Sequence, residues 1–472
     1  MTNQEVKVVV ASDKISFTIE NAFIQSYQSH SDVYDLSKLY LEIRVSKIFQ
    51  KVLNMRSSMV KSPIEIFDKD DFVTLGDMLS KLLLDQKILN LNFSNTFKFV
   101  NDSPDIRCRI FLEFDKNVRE MAELPWEYIR FEKHYLAAHA RSSFDLVRKI
   151  NLGEEYDSKS FPAPGALNIV LIIADPETAD RALPNEEKTA LRDMFSGLKK
   201  ANPETFNYAI VASPTKKNLI EKIRDARAAL NLKNEPYIIH FYGHARPDSV
   251  ALSPGTDNAA HADWISDTHF ADLFEEMMPT EQPAVFIFTA CDSGKITQFA
   301  ENRGVALNML VQHKLFAVLA MQNEVISNVA IAFMQQVYQA LLKGTDLAEA
   351  VSKGRTYLGT KHDYGGNAGD KGSYSNNAFG SPVLFCSTWK NLHFVVAEDL
   401  ETRGWVEKIC TNRQSANCLK IEKYPEAVVR CKYCGALLQS LANPANPVAP
   451  SANTDRSVSS GTNQPAAISL NP

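Results

Sequence analysis

The sequence contains no apolar run that approaches the ~20 residues of a membrane-spanning helix, so we expect no transmembrane span. It also has no excess of basic residues. The net charge is −5, which provides no positive field to attract nucleic acid, and we expect no nucleic-acid partner. The first residues, Met-Thr-Asn-Gln-Glu-Val-Lys, lack the charged and then apolar layout of a signal peptide. A cytoplasmic location is therefore expected.

Cysteine is scarce, and its number is odd. The seven cysteines are scattered and then clustered near the C-terminus, which does not suggest the paired framework of a small secreted domain. The chain has 472 residues, enough for two or three domains with sizeable cores. Hydrophobic residues make up 45% and charged residues 23%, a balance typical of a soluble globular protein.

Apolar runs and segments of helical spacing alternate after a Ser-, Pro- and Gly-containing linker at 157–165. The apolar runs predict strands at 169–173, 208–211, 237–241, 285–288, 316–321 and 382–385. The intervening segments predict helices at about 185–200, 214–231, 267–278, 294–313, 326–343 and 346–358. Because the strands are nearly continuously apolar, the sequence predicts an α/β fold with a mostly parallel sheet and helices on both faces.

We expect five regions along the chain. They are an N-terminal α+β segment at 1–60, a further N-terminal part of the main domain at 61–156, the principal α/β domain at 157–392, a small Cys-rich module at 393–436 and a disordered tail at 437–472. The tail is rich in Ala, Asn, Pro and Ser and lacks periodicity, so it has little apolar surface to bury.

Two reactive residues stand where predicted buried strands end. His244 follows Gly243 after one apolar strand, and Cys291 follows Thr-Ala after another. Ligands bind at the carboxyl ends of parallel strands, and an imidazole is the base that a thiol nucleophile needs. The pair therefore predicts a catalytic dyad, whereas the alternative is a core histidine and a buried structural cysteine. His240, four residues earlier on the same predicted strand, is expected to be a core histidine.

Six segments resemble the CHAT-domain family of caspase-like, separase-related cysteine proteases, in the right order over about residues 60–390. The segments are Gly243-His244-Ala245, Thr289-Ala290-Cys291-Asp292-Ser293-Gly294, Leu124-Pro125-Trp126-Glu127-Tyr128, Leu315–Met321, Leu341–Val351 and Gly380–Phe385. The resemblance implies a caspase-like fold and a cysteine endopeptidase in which His244 assists Cys291.

The resemblance also implies the remaining parts of an active site. Backbone N–H groups of Ala245 and Cys291 would bind the oxyanion, although many members have glycine where this chain has Ala245. A helix is expected to begin at Ser293-Gly294, which would favour the thiolate of Cys291. Separase-like relatives bind a basic residue with an acid from a late loop, and Asp370 or Asp363 occupies roughly that region here. Asp292, next to the nucleophile, is a further pocket candidate, and a solvated loop acid is the alternative in each case.

The C-terminal cysteines form a separate pattern. Cys410, Cys418, Cys431 and Cys434 give C-x7-C-x12-C-x2-C, and the half that ends in Cys434-Gly435 has the spacing of a zinc knuckle. Four thiolates would make a closed structural zinc site. The first half is wider than usual, and four reduced thiols in a small β unit are the alternative. No cofactor is expected for catalysis itself.

Two functions from different classes follow. The first is a cysteine endopeptidase that cuts a protein substrate and is kept silent until a partner or signal orders its site, in a bacterial regulatory, cell-death or defence system. The second is a catalytically silent scaffold that keeps the fold and binds protein partners through its Cys-rich module. A cysteine esterase or acyltransferase is a more distant third. The intact pair of His244 and Cys291 favours the first.

Overall fold

The apolar runs along the chain become the strands of one large sheet. The structure is a computed structural model. It describes residues 2–10, 14–21, 24–33, 69–83, 87–103, 106–115, 119–139, 141, 143–152, 165–176, 182–232, 235–255, 261–296, 304–323, 325–360, 378–395, 405–410, 422–425 and 438–440.

The strands of the described residues are, in chain order, β1 Thr2–Val10, β2 Lys14–Asn21, β3 Ile24–Val33, β4 Ile106–Phe114, β5 Arg130–Phe131, β6 His134–Tyr135, β7 Phe144–Lys149, β8 Leu167–Ile173, β9 Phe206–Ala212, β10 Ile238–Tyr242, β11 Ala245–Arg246, β12 Ser249–Leu252, β13 Asp263–Ser266, β14 Val285–Thr289, β15 Ala317–Met321, β16 Pro382–Cys386, β17 Trp405–Cys410, β18 Glu422–Pro425 and β19 Leu438–Ser440. The α-helices are α1 Lys69–Leu83, α2 Lys87–Asp102, α3 Arg119–Ala122, α4 Asn185–Ala201, α5 Leu219–Ala229, α6 Asp267–Phe274, α7 Val305–Gln312, α8 Ser327–Leu342 and α9 Leu347–Thr360. Short 3₁₀ turns lie at Trp126–Tyr128 and Ala378–Gly380.

Eleven strands form the main sheet in the order β3-β2-β1-β4-β7-β16-β15-β14-β10-β8-β9. Seven of its ten strand pairs are parallel; the antiparallel ones are β1 with β2, β2 with β3 and β15 with β16. The predicted mostly parallel sheet is confirmed. Strands from the predicted regions 1–60, 61–156 and 157–392 all join this one sheet, while the region boundaries themselves stay a prediction.

Helices cover both faces of the sheet, as strand β10 demonstrates. Neighbouring residues on a strand point to opposite faces. His240 contacts Phe195 of α4 and Tyr338 of α8, whereas the next residue, Phe241, contacts Phe270 of α6. The helices α4 and α8 therefore lie on one face and α6 on the other, which buries all five residues of β10.

The N-terminal half of the sheet buries charged side chains as well as apolar ones. Asp145 on β7 is fully buried and accepts hydrogen bonds from Arg107 and from Arg109, the latter at 3.2 Å. Arg109 also donates to Asp346, just before α9, at 2.6 Å. Burial of a charge costs several kcal/mol unless it is paired, so these strands depend on their partners.

The C-terminal strands form a separate three-stranded antiparallel sheet in the order β18-β17-β19. Its third strand, Leu438–Ser440, lies inside segment 437–472, for which composition predicted disorder. Leu438 pairs with Cys410 of β17, a long-range partner that composition does not reveal, and the disorder of the segment stays a prediction. Among the described residues, no helix combines the length and apolar character needed to cross a membrane.

Candidate active site

The register of two neighbouring strands brings His244 and Cys291 to one edge of the sheet. Strands β10 and β14 are parallel, and Tyr242 pairs with Thr289 at their carboxyl ends. His244 and Cys291 each lie two residues beyond that aligned pair. Adjacent strands are about 4.8 Å apart, so equal offsets from paired residues keep the two chains close as they leave the sheet.

Both residues line the same cavity, which has a volume of about 80 Å³. The thiol of Cys291 lies 3.9 Å from the carbonyl oxygen of Val325 and is partly exposed. Other lining side chains include Leu183, Glu187, Tyr242, Met321 and Ser327. The two residues that the sequence predicted as a pair are thus gathered around one opening.

A buried serine holds the turn that carries Cys291. Ser293 is completely buried, and its hydroxyl donates to the carbonyl oxygen of Ala290 at 2.7 Å. The same hydroxyl accepts from the N–H of Met321 at 3.3 Å. The expected helix start at Ser293-Gly294 is wrong, because residues 291–294 form a turn and the next two residues, 295 and 296, are not helical. Ser293 is an anchor to β15 rather than a helix cap.

Glycine is required next to this serine because the turn lies against the end of β15. The N–H of Gly294 donates to the carbonyl oxygen of Met321 at 2.8 Å, and an added Cβ would come within 2.6 Å of the Val383 side chain. Asp292 has a left-handed φ of 59° and forms an ion pair with Lys295 at 2.9 Å. Asp292 does not line the cavity, so the structure gives no support to its role as a pocket residue.

The histidine turn is equally close to its neighbours. An added Cβ on Gly243 would come within 2.9 Å of the Cβ of Ala174. The carbonyl oxygen of His244 accepts from the N–H of Ala251 at 3.0 Å. Hydrogen-bonded and non-hydrogen-bonded pairs alternate in an antiparallel ladder, so the next pair, Ala245 with Val250, is non-hydrogen-bonded. The N–H of Ala245 therefore points away from β12, and its extended backbone suits alanine without strain.

Glu187, Tyr242 and Ser327 also border the cavity, and the sequence did not single them out. The hydroxyl of Tyr242 donates to Oε2 of Glu187 at 3.3 Å. Burial, and then the negative charge of Glu187, raise the pKa of Tyr242 well above its usual value, so this tyrosine stays neutral. Glu187 lies in the first turn of an amphipathic helix, where an acidic residue is ordinary, and no sequence signal distinguished it.

His240 is a core residue, as expected. It is fully buried, with Nε2 2.8 Å from the hydroxyl of Thr289 and Nδ1 2.8 Å from that of Tyr338. Burial lowers the pKa of His240 to about 3, so the ring is neutral at physiological pH. With both nitrogens engaged inside the sheet, His240 is not placed to exchange protons with the cavity.

Cysteines in the described part of the chain fall into two environments. Cys108 and Cys386 are buried, and none of the three described thiols in the main sheet region is in a disulfide bond. Burial raises the pKa of both thiols, that of Cys386 to about 12. Cys291 differs because it is partly exposed at the sheet edge. Only this thiol lines the cavity described above.

Several predicted site residues fall outside the described part of the chain. Asp363 and Asp370 do so, as do Cys418, Cys431 and Cys434. The backbone of Cys410 lies in strand β17. Among the residues that the structure describes, no group of three or more His, Cys, Asp or Glu side chains could hold a metal ion. The zinc site and the specificity acids stay predictions.

The CHAT domain family matches residues 73–369, which is more than half of the chain and includes both candidate catalytic residues. This chain belongs to the CHAT-domain family. The α/β fold with a mostly parallel sheet, expected from the sequence, is confirmed. A comparison of this CHAT protein with curated proteins found no match.

Solved structures similar to this CHAT protein include two of the Saccharomyces cerevisiae separase–securin complex. Each is 10% identical and covers 81% of this chain and 30% of that chain, with TM-scores of 0.43 and 0.40. The chain thus spans less than a third of the length of the separase structures it matches. A secreted C11 cysteine protease from Bacteroides thetaiotaomicron, bound to an irreversible peptide inhibitor, is also 10% identical. It covers 43% of this chain and 62% of that chain, with a TM-score of 0.30.

Proposed function

We propose that this CHAT protein is a cysteine endopeptidase with Cys291 as nucleophile and His244 as base. The observation that carries the proposal is that both side chains line one cavity at the carboxyl edge of the aligned strands β10 and β14. Family membership supports the same chemistry. A peptide would lie across the opening, because about 80 Å³ is small beside the 300–1,000 Å³ of small-molecule pockets.

The reaction uses the imidazole twice. His244 accepts the thiol proton of Cys291, and the thiolate attacks the carbonyl carbon of the scissile peptide bond. The imidazolium then donates its proton to the leaving amine as the carbon–nitrogen bond breaks. His244 then takes a proton from water, which attacks the carbonyl carbon of the thioester, and the carbon–sulfur bond breaks to release the acid product. The imidazolium returns its proton to the departing thiolate, which restores the thiol of Cys291.

Backbone N–H groups of Ala245 and Cys291 receive the negative charge that forms on the carbonyl oxygen. The outward direction of the Ala245 N–H supports this role, because that group is not used by the pairing with β12. Preorganised donors of this kind contribute about 3 kcal/mol each to transition-state stabilisation.

Substrate choice is proposed to depend on Asp370, or on Asp363, through a basic residue before the scissile bond. Strand β16 begins at Pro382, which pairs with Met321, a residue that lines the cavity. The chain that leads into β16 therefore arrives at the catalytic edge, and this supports an acid from that segment. A carboxylate in a partly dry pocket favours a cation as its partner.

We propose that the protein acts in the cytoplasm on protein substrates, after a partner or signal orders the site.

We also propose that Cys410, Cys418, Cys431 and Cys434 bind one zinc ion. The metal would stabilise the C-terminal segment, since thiolates bind zinc in closed tetrahedral sites. Elemental analysis and chelation test the metal independently of proteolysis, and four freely reactive thiols with no zinc would refute it.

Peptide mapping tests the activity directly. Wild type, Cys291→Ala and His244→Ala are incubated with a proteome-derived peptide library, with and without lysate as a source of activator. New termini are identified by mass spectrometry. The proposal expects cleavage by wild type alone. Cleavage of the same bonds by Cys291→Ala, or no cleavage by wild type in either condition, overturns it.

A further inference from the structure

Glu127 is a fully buried carboxylate in the Pro-Trp-Glu segment, and the dyad chemistry does not use it. Its Oε1 accepts from Nε of Arg148 at 3.0 Å, and its Oε2 accepts from Nη2 of the same arginine. Arg355 lies 3.8 Å away. A buried carboxylate with a two-point arginine contact is fixed in both position and direction. The segment that carries it packs closely, because Tyr128 occupies the space where a Cβ on Gly380 would lie.

Gln322 is the link from this carboxylate to the active-site edge. Its Nε2 donates to Oε2 of Glu127 at 2.7 Å and to the carbonyl oxygen of Gly380 at 2.6 Å. Its Oε1 accepts from Arg148 at 3.1 Å. The backbone N–H of Gln322 donates to Ser381 at 2.8 Å. Both N–H donors and the oxygen of the side-chain amide are engaged, which fixes its orientation.

The residue before Gln322 holds the nucleophile turn. Met321 lines the cavity, its N–H donates to the hydroxyl of Ser293, and its carbonyl oxygen accepts from Gly294. Ser293 and Gly294 follow Cys291 by two and three residues. A continuous set of hydrogen bonds and one peptide bond therefore connects Glu127 with the turn that carries the thiol.

We propose that Glu127 and Gln322 are positioning residues that fix the end of β15 and thereby hold the Cys291 turn in its reactive place. The effect on the turn stands on the contacts alone, whereas the effect on catalysis rests on the proposed peptidase function. A misplacement of about 1 Å caused far from the chemistry can lower a rate about 10²-fold. A more mobile end of β15 should therefore lower the rate of the reaction at the Cys291 thiol.

A second buried ion cluster in the same sheet provides a matched control. Asp346 accepts from Arg109 at 2.6 Å and from the N–H of Glu349 at 3.0 Å. Like Glu127 it is a buried acid paired with arginine. It contacts neither Met321 nor the turn, and it does not line the cavity. Its removal should lower stability without loosening the turn.

The variants are Glu127→Gln, Gln322→Met, their double variant and Asp346→Asn in the full chain. Amide hydrogen exchange of residues 290–296 is measured at equal temperature offset below each melting temperature. We expect exchange roughly tenfold faster in both single variants, with no further increase in the double, because the two changes break the same connection. Asp346→Asn should exchange as wild type does. Gln322→Met removes no charge, so this variant alone can test the positioning role if Glu127→Gln does not fold.

Kinetics provide the second readout on any peptide that wild type cleaves. Both single variants should lower kcat by roughly 10- to 100-fold with KM changed less than threefold. Unchanged exchange at 290–296, or equally faster exchange in Asp346→Asn, overturns the positioning role. If wild type cleaves no peptide, the proposed function fails while the exchange comparison still decides the positioning role.

Discussion

Two halves of the main sheet bury polar groups in opposite ways. Strands β8, β14 and β15 are almost wholly apolar within the sheet, and their neighbour β10 holds one neutral histidine. Strands β4 and β7 instead carry arginines and an aspartate inside the sheet, each matched to a partner. In the apolar half, reactive residues stand just beyond the strand ends. A polar residue indicates function here by its place after the strand, whereas a charge within a strand is structural.

The strongest test of this contrast is removal of the strand-end residues. Cys291→Ala and His244→Ala should each lower peptide cleavage by roughly 10⁴-fold or more, because dyad members act as a unit. Both side chains are partly exposed, so the free energy of unfolding should change by less than about 1 kcal/mol. Product analysis and urea denaturation are the two measurements. If the variants lose both cleavage and folding, His244 and Cys291 would be structural residues like the charges within β4 and β7, and the contrast between the two halves of the sheet would fail.

The opposite pattern is expected from Asp145→Asn in the charged half. Asp145 is fully buried between Arg107 and Arg109, and its neutralisation removes the carboxylate that the two cations share. Arg109 keeps Asp346 and Arg107 keeps Glu349 as partners, so unfolding should become easier by at most about 3–5 kcal/mol. The alkylation rate of Cys291 in the folded fraction should not change. A slower rate at Cys291 would show that the two halves are coupled through β7.

Acid titration tests the assignment of His240 as a core residue of strand β10. The pKa of His240 is about 3 in the folded protein against an ordinary 6.5, because burial penalises the charged ring. The unfolded chain therefore binds more protons below pH 6.5, and stability falls as the pH drops through that window. The slope is about 1.4 kcal/mol per pH unit. Urea denaturation at several pH values should give a shallower slope for His240→Gln, and an equal slope contradicts the assignment.

Thiol reactivity provides a finer comparison. Cys291 should react with iodoacetamide at least roughly tenfold faster than Cys108 or Cys386 at pH 7, since thiolate fraction and exposure control the rate. Burial raises the pKa of the other two thiols, that of Cys386 to about 12. Peptide mapping of the alkylated, folded protein gives the three rates. Comparable alkylation rates at all three cysteines would show that the position of Cys291 at the strand end does not make its thiol more reactive.

The smallest effect is expected from Ala245→Gly, which restores the residue that many family members carry. The N–H group is kept, and the strand is already extended at this position. Activity should therefore stay within about threefold of wild type, since the proposed oxyanion donor, the backbone N–H of residue 245, is unchanged. A large gain in kcat would show that alanine had restrained this N–H group.

Much of this architecture follows from local pattern. The apolar runs predicted the strands β10 and β14 that carry the candidate site, and their ends located His244 and Cys291. The distinction between His240 and His244 also followed from place, because one lies within the apolar run and the other beyond a glycine turn. These features depend on neighbours in sequence, and hydrophobic periodicity reports them well.

Long-range partners were out of reach of the same reasoning. Ser293-Gly294 resembles a helix start, yet both residues form hydrogen bonds with the backbone of Met321 on strand β15. Glu187 resembles an ordinary helix-start acid, and only the fold brings it to the cavity. Buried Arg109 and Asp145 have charges that predict exposure, and their pairing depends on a register that a single sequence does not specify.

The aligned pair of Tyr242 and Thr289 has a consequence for how this protein can vary over evolution. His244 and Cys291 each lie two residues beyond that pair. Their separation therefore depends on the number of residues between the pair and each site residue, more than on the identity of any side chain. Apolar substitutions within β10 or β14 should drift freely among residues of similar volume. A single inserted or deleted residue between Ile238 and His244 would turn every following side chain to the other face of the sheet. Insertions and deletions should therefore accumulate in loops distant from these two strands.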